Sequence, residues 1–178
     1  MSQIDASDFS ALSAAVEQNS NEELVGQIRA AGARVKFITD GDVAGAIMAA
    51  REGTGVDLLV GIGGTPEGVL SAAALKSYGG GLIGRLAPRD DAERQAAVDA
   101  GYDVDRVLTQ DDLVKGDNCF FCATGVTDGD VLQGVRYHGA RGASTESLVM
   151  RTRSGTVRRI MSVHDRQKLR ELTGYAGG

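Results

Sequence analysis

Two βα patterns in succession constrain this chain's fold more than any other feature. From Asn21, the apolar residues Leu24, Ile28 and Ala31 recur at helical spacing, and Gly32 follows as a stop. Val35 and Phe37 then alternate with Arg34 and Lys36, the pattern of a strand with one wetter face. Thr39-Asp40-Gly41-Asp42 breaks the strand. Val43, Ile47 and Ala50 restore a helical face up to Arg51, which Gly53 and Gly55 end. The plan then repeats. Val56 to Ile62 is nearly continuous apolar, as expected of a strand covered on both faces. Gly63-Gly64-Thr65-Pro66-Glu67-Gly68 follows, and Val69 to Ser77 reads as an alanine-rich helix closed by Gly79-Gly80-Gly81. A βαβα unit with short loops builds a parallel sheet with helices on its faces, so the fold class is α/β.

The flanking segments are expected to add to this unit. Asp91 to Ala100 reads as a helix with Gly101 after it, and Cys119 to Ala123 as a buried-type strand. A Ser154-Gly155 turn between Leu148–Thr152 and Val157–Met161 predicts a C-terminal β-hairpin, with a short helix from Arg166 to Leu172. Residues 1–20 are polar without a strong period and read as a weakly structured N-terminal arm, a weak helix or a loose segment. The 178 residues, 42% of them apolar, correspond to one domain able to hold a core without disulfides or metal. No apolar run approaches the ~20 residues a bilayer requires, and no basic stretch followed by an apolar one opens the chain. A membrane partner is therefore not expected, and the cytoplasm is the default location.

In consecutive parallel βα units, the loops after the strands share the carboxyl edge of the sheet, where open α/β folds bind ligands. That places Asp40-Gly41-Asp42 and Gly63–Gly68 on one rim. The first loop offers two carboxylates across a glycine, able to accept from hydroxyls or to bind a hard cation. The second offers glycine backbone, Pro66 suited to the first helical position, and Glu67 beside it. A helix start with free N–H groups favours a phosphate, and Glu67 adds an oxygen ligand for a cation. Asp42 is equally suited to capping the helix it precedes, and Glu67 to complementing the dipole of its own.

Other chemistries are less well supported. Cys119 and Cys122 form a C-x-x-C, but residues three apart on a strand point to opposite faces, so both are expected to be buried structural thiols. His138 and His164 have no serine or cysteine partner motif. Residues 136–178 carry nine Lys/Arg against three Asp/Glu, a net +6 that leaves −11 for the rest of the chain. With 4% aromatics and a pI near 5.0, this reads as a solvated hairpin or a face for an acidic neighbour, and no nucleic-acid partner is expected.

Four segments, in order, resemble the bacterial class II fructose-1,6-bisphosphatases. They are Asp40-Gly41-Asp42-Val43-Ala44, Gly61-Ile62-Gly63-Gly64-Thr65-Pro66-Glu67-Gly68-Val69, Ala123-Thr124-Gly125-Val126-Thr127-Asp128-Gly129 and Leu148-Val149-Met150-Arg151. The match runs from about Asn21 to about His164. It implies a layered fold of the sugar-phosphatase and inositol-phosphatase type, of which residues 21–178 would be the C-terminal half. It also implies hydrolysis of fructose 1,6-bisphosphate to fructose 6-phosphate in gluconeogenesis, and of sedoheptulose 1,7-bisphosphate in photosynthetic relatives, with Mn²⁺ or Mg²⁺. By matching motif, Glu67 resembles the family's metal-binding glutamate and Gly64 the glycine that contacts substrate. Asp40, Gly41 and Asp42 resemble the segment that holds the sugar bisphosphate.

The departures matter equally. Family chains are about twice as long, and the half without a counterpart carries most metal ligands, including an Asp-Pro-Ile/Leu-Glu-Gly-Thr stretch with the catalytic threonine. Where the family has an Arg-Pro-Arg type segment for phosphate, this chain has Gln18-Asn19-Ser20. Each lost charge-assisted contact is worth roughly 1.5–3 kcal/mol. No complete catalytic set is therefore expected in this chain. It is expected either to work with a homo-oligomeric or other partner supplying the absent half, or to be a catalytically silent truncated relative that binds sugar phosphates or regulates.

Overall fold

A computed structural model describes residues 13–17, 22–38, 41–139 and 142–173. Its first layer is a parallel sheet of three strands, β1 (Ser13–Glu17), β2 (Arg34–Ile38) and β3 (Leu58–Val60), in the order β2-β1-β3. Helix α1 (Glu22–Ala30) joins β1 to β2, and α2 (Asp42–Ala49) leads from β2 toward β3. The two helices take opposite faces. Val25 and Ile28 of α1 pack on Val35, whereas Gly45 of α2 lies against Ile38 and Leu59. A Cβ at Gly45 would sit 2.9 Å from Ile38 Cδ1 and 3.0 Å from Leu59 Cδ1, so a glycine here lets α2 settle directly on the sheet.

The expectation of a weak helix or loose arm before residue 21 is corrected for Ser13–Glu17, which form the central strand of this sheet. Their pairing registers, Ser13 to Glu17 with Arg34 to Ile38 and Ala14 to Val16 with Leu58 to Val60, hold them on both sides. Ladder bonds to two neighbours override the weak local pattern of a short alanine-containing segment.

The next layer is α3 (Thr65–Tyr78) beside α2. Ser71, Ala72, Ala74, Leu75 and Ser77 are all buried, and small side chains let both neighbouring layers approach closely. Ser77 Oγ donates to Ala73 O at 3.0 Å, so its buried hydroxyl is satisfied. Gly79, at φ 80°, caps the helix in the left-handed conformation.

Strand β4 (Ile83–Gly84), helix α4 (Asp91–Asp99), strand β5 (Leu108–Thr109) and helix α5 (Gln110–Leu113) form an outlying lobe. Lys76 anchors it to α3, donating to Val114 O at 2.9 Å and pairing with Asp111 at 2.6 Å.

The last layer is an antiparallel sheet of β6 (Phe120–Thr124), β7 (Arg136–His138), β8 (Gly142–Arg151) and β9 (Thr156–Asp165), closed by helix α6 (Arg166–Thr173). β8 is central, paired with β6 and β7 on one side and β9 on the other. The expected hairpin is present. Thr152–Ser154 form one 3₁₀ turn, and Gly155, at φ 58°, completes the reversal. The core runs from Ile38, Ile47 and Met48 through Ala74 to Phe121, Leu148 and Met150, so α2 and α3 are packed between the two sheets.

Two burial expectations fail because the layering stops. β3 is covered on the α2 side, but α1 lies over β2, leaving Leu58 45% exposed; Ile62, beyond the strand, is 72% exposed. β6 buries Phe121 inward and exposes Phe120, Cys122 and Thr124 on its outer face. The cysteines are accordingly not the buried pair expected from the apolar run: Cys119, just before β6, is half-buried and Cys122 is exposed. Among the described residues, no helix is long and apolar enough to cross a membrane.

Candidate functional site

Parallel pairing through β1 brings the carboxyl ends of β2 and β3 to one edge. Glu17 stands opposite Ile38, and Val16 opposite Val60, so the three strands end nearly level. With adjacent strands ~4.8 Å apart, the turns that follow β2 and β3 leave the sheet about 10 Å from one another. The order β2-β1-β3, with helices on opposite faces, also makes this edge a topological switch point, the crevice where doubly wound sheets take ligands.

The first turn reaches α2 through Gly41, which has φ 90° and ψ 56° and occupies the N-cap position. A left-handed conformation at this place favours glycine over any residue with a Cβ. Asp42 is therefore the first residue of the helix rather than its side-chain cap. It is half-buried, and no described residue donates to its carboxylate. Asp40, assigned to the same segment from sequence, lies outside the described residues, as do Gln18, Asn19 and Ser20.

The second turn ends at Gly64, the N-cap of α3, with φ −70° and ψ 149°. That conformation is open to any residue, so backbone strain does not explain the glycine. The neighbouring carboxylate does. Glu67 folds back over Gly64, with its Oε2 where a Cβ would stand. Thr65 opens the helix and Pro66 follows, at the second helical position rather than the first, while Gly68 N donates to Gly64 O at 3.0 Å. Glu67 is exposed in the first turn, where the helix dipole favours an anion, and no described residue pairs with it.

The rim thus presents two carboxylates with no partner among the described residues, one on each side of the central strand. Their chemistry is acceptance: hydrogen bonds from hydroxyls, or oxygen ligation of a hard cation. Among the described residues, no group of three His, Cys, Asp or Glu side chains could hold a metal ion. Glu67 on its own does not fit a bound divalent cation, which takes six or more oxygens shared among protein, water and substrate.

The third sequence segment does not join this rim. Asp128 Oδ1 accepts from Gly134 N and Arg136 Nη2, both at 2.9 Å, and Asp130 pairs with Lys36 at 3.1 Å. Glycine is required twice in the loop they close. A Cβ at Gly125 would collide with Gln133 O, and one at Gly134 would lie 2.7 Å from Thr127 C. The loop is held on the hairpin by Glu146, a buried carboxylate missed in the sequence reading. It accepts from Gln133 N at 2.7 Å and Arg159 Nη1 at 2.6 Å, while Arg159 Nη2 donates to Val131 O at 2.6 Å. Its spacing of two from Leu148 and Met150 put it on the inward face and could have disclosed it.

These features define a doubly wound α/β unit with acidic side chains at its carboxyl edge. Over residues 3–164 the chain matches, and belongs to, the family described as bacterial fructose-1,6-bisphosphatase, glpX-encoded. The match starts well before Asn21 and takes in β1. The D-fructose 1,6-bisphosphatase class 2/sedoheptulose 1,7-bisphosphatase of Synechococcus sp. (strain JA-3-3Ab) is 42% identical over 172 residues, covering 88% of this chain and 49% of that protein. The protein of the same description from Synechococcus sp. (strain JA-2-3B'a(2-13)) is 43% identical over 155 residues, 80% of this chain and 44% of that one. The fructose-1,6-bisphosphatase class 2 of Haemophilus influenzae (strain ATCC 51907 / DSM 11121 / KW20 / Rd) is 41% identical over 157 residues, 81% of this chain and 47% of that one. The chain spans about half the length of these curated relatives.

Proposed function

We propose that residues 21–178, together with β1, are the C-terminal half of a layered sugar-phosphatase/inositol-phosphatase-type domain, and that the rim is its sugar-bisphosphate face. The substrate is fructose 1,6-bisphosphate or a similar sugar bisphosphate, and the reaction of the complete site is its hydrolysis to fructose 6-phosphate. In this reading Asp40 and Asp42, set apart by Gly41, accept hydrogen bonds from sugar hydroxyls, while Gly64, lacking a Cβ, leaves room for the Glu67 carboxylate beside the substrate at the start of α3. Glu67 offers a carboxylate to a divalent cation, Mn²⁺ or Mg²⁺. Its carboxylate over Gly64 sets a negative charge at a helix start that would otherwise attract phosphate, so the two anions share that place only with a cation between them. No hydrolytic step is assigned to this chain alone, because the other ligands of such a cation are not among its described residues.

One observation carries the reading: Asp42 and Glu67, neither paired with any described residue, stand at two helix starts on the same carboxyl edge, with one strand between them. The test is calorimetric titration of fructose 1,6-bisphosphate into the chain, with and without Mn²⁺, alongside a phosphate-release assay. We expect binding strengthened by Mn²⁺, weakened about tenfold by Asp42→Asn and by Glu67→Gln, and no turnover by the chain alone. Binding that neither substitution alters, or no binding at millimolar sugar, overturns the reading. Binding without turnover even when the part of the relatives outside the match is supplied would favour the second reading, a silent sugar-phosphate-binding or regulatory subunit.

A further inference from the structure

Strand β9 runs ten residues, Thr156–Asp165, and pairs with β8 at every position. Among the described residues, no strand joins its other edge. Native proteins guard such edges with proline, lysine, a bulge or a covering element. β9 has neither proline nor lysine, and its unbroken register with β8 leaves no bulge. Of its two arginines, Arg159 is drawn onto Glu146 and Val131 O, so Arg158 is the guard that remains. The far half of the strand also overhangs the core. Met161 and Val163 sit at inward register positions, as Arg159 does, yet are 61% and 81% exposed.

We propose that β9 pairs antiparallel with β9 of a second copy of this chain, across a two-fold axis at Ser162, so that the two antiparallel sheets become one. Strands joined in one sheet by such an axis keep like faces together, so inward positions meet inward positions. Few registers satisfy that condition, and the side chains select one. With the axis at Ser162, Met161 of each copy lies opposite Val163 of the other, and Arg159 opposite Asp165. The two most exposed apolar residues of the strand then cover each other. Each end of the ladder gains a pair of opposite charges, and Arg158 falls outside it. With the axis at Met161, Val163 meets Arg159 and Val157 meets Asp165; at Ile160, Met161 meets Arg159; at Val163, Met161 meets Asp165. Each of these sets a charge against an apolar group. The inference needs no ligand at the rim, so it stands or falls apart from the sugar-bisphosphate reading.

The test is sedimentation equilibrium of the 178-residue chain over a concentration series, with cross-linking to read the register. We expect a reversible dimer, weak because the ladder is short. Met161→Lys and Val163→Lys should each weaken it about tenfold or more, by setting a charge against an apolar group. Both side chains are exposed in the single chain, so circular dichroism should show the fold unchanged. Val126→Lys, 77% exposed in the loop after β6, should leave the dimer as it is. In a Cys119→Ser, Cys122→Ser background, Ser162→Cys should give a disulfide-linked dimer on oxidation with diamide, whereas Ile160→Cys and Met161→Cys should not. A chain that stays monomeric at millimolar concentration, a dimer indifferent to Met161→Lys, or linkage absent at 162 or present at 160 or 161 would each overturn the proposal.

Discussion

The carboxylates at the rim and those around the 125–134 loop are the same chemical groups in opposite circumstances. At the loop, Asp128, Asp130 and Glu146 are each met by cations or backbone N–H groups within 3.1 Å. At the rim, Asp42, half-buried, and Glu67, exposed, stand at helix starts with no described partner. A carboxylate whose partners are internal contributes to folding and has little capacity left for a ligand. One held in place by backbone geometry alone contributes little to folding and keeps its lone pairs available. Asp128, in the Ala123–Gly129 segment, and Asp130, just after it, therefore belong to the scaffold.

The sharpest way to break this contrast is Glu146→Ala, which strands Arg159 and leaves Gln133 N without its acceptor. We expect a loss of about 2–3 kcal/mol in urea unfolding. A loss no larger than that of a surface substitution would erase the distinction. Next comes Gly45→Val, which forces α2 off Ile38 and Leu59; we expect roughly 2 kcal/mol and a lowered Tm. Gly41→Ala, by straining a left-handed residue, should cost about 1 kcal/mol by the same measurement. At the rim itself, Asp42→Asn and Glu67→Gln should change stability by less than about 0.5 kcal/mol while weakening sugar-bisphosphate binding.

The smallest effect is pH-dependent and lies in the outlying lobe. Glu93 has its pKa lowered chiefly because it accepts from the Arg89 backbone N–H and then from the Arg89 side chain; Asp112 is lowered chiefly by the Thr109 backbone N–H and then by its hydroxyl. A carboxylate with a depressed folded-state pKa adds stability that is present above its ordinary value, near 4, and is lost as pH falls through the lower one. Amide exchange at the starts of α4 and α5 should therefore rise below about pH 4, before the core opens.

The helices and the hairpin were legible because periodicity and glycine stops are local signals. The turns at Gly41–Asp42 and Gly63–Gly68 were legible as sharing one edge because both follow strands of one parallel unit. β1 was not: Ser13–Glu17 is short and alanine-containing, and it becomes a strand through partners twenty and forty residues away. Burial was misread at Val56–Ile62 and Cys119–Ala123 because an apolar run gives no indication of how many layers lie beyond it. α5 went unseen although Thr109 and Asp112 form a capping box, since four residues are too few for a period to emerge. Glu67 over Gly64 is a contact of side chain with bare backbone, and only coordinates reveal it.

The position of β1 has a consequence for how the sheet is assembled. β2 and β3 share no ladder of their own, so each keeps an empty slot toward the other until the earlier segment enters between them. Any extended stretch of suitable length competes for that slot, including Ser13–Glu17 of another molecule. Crowded refolding should therefore yield interlocked pairs whose rims are intact but built from two chains.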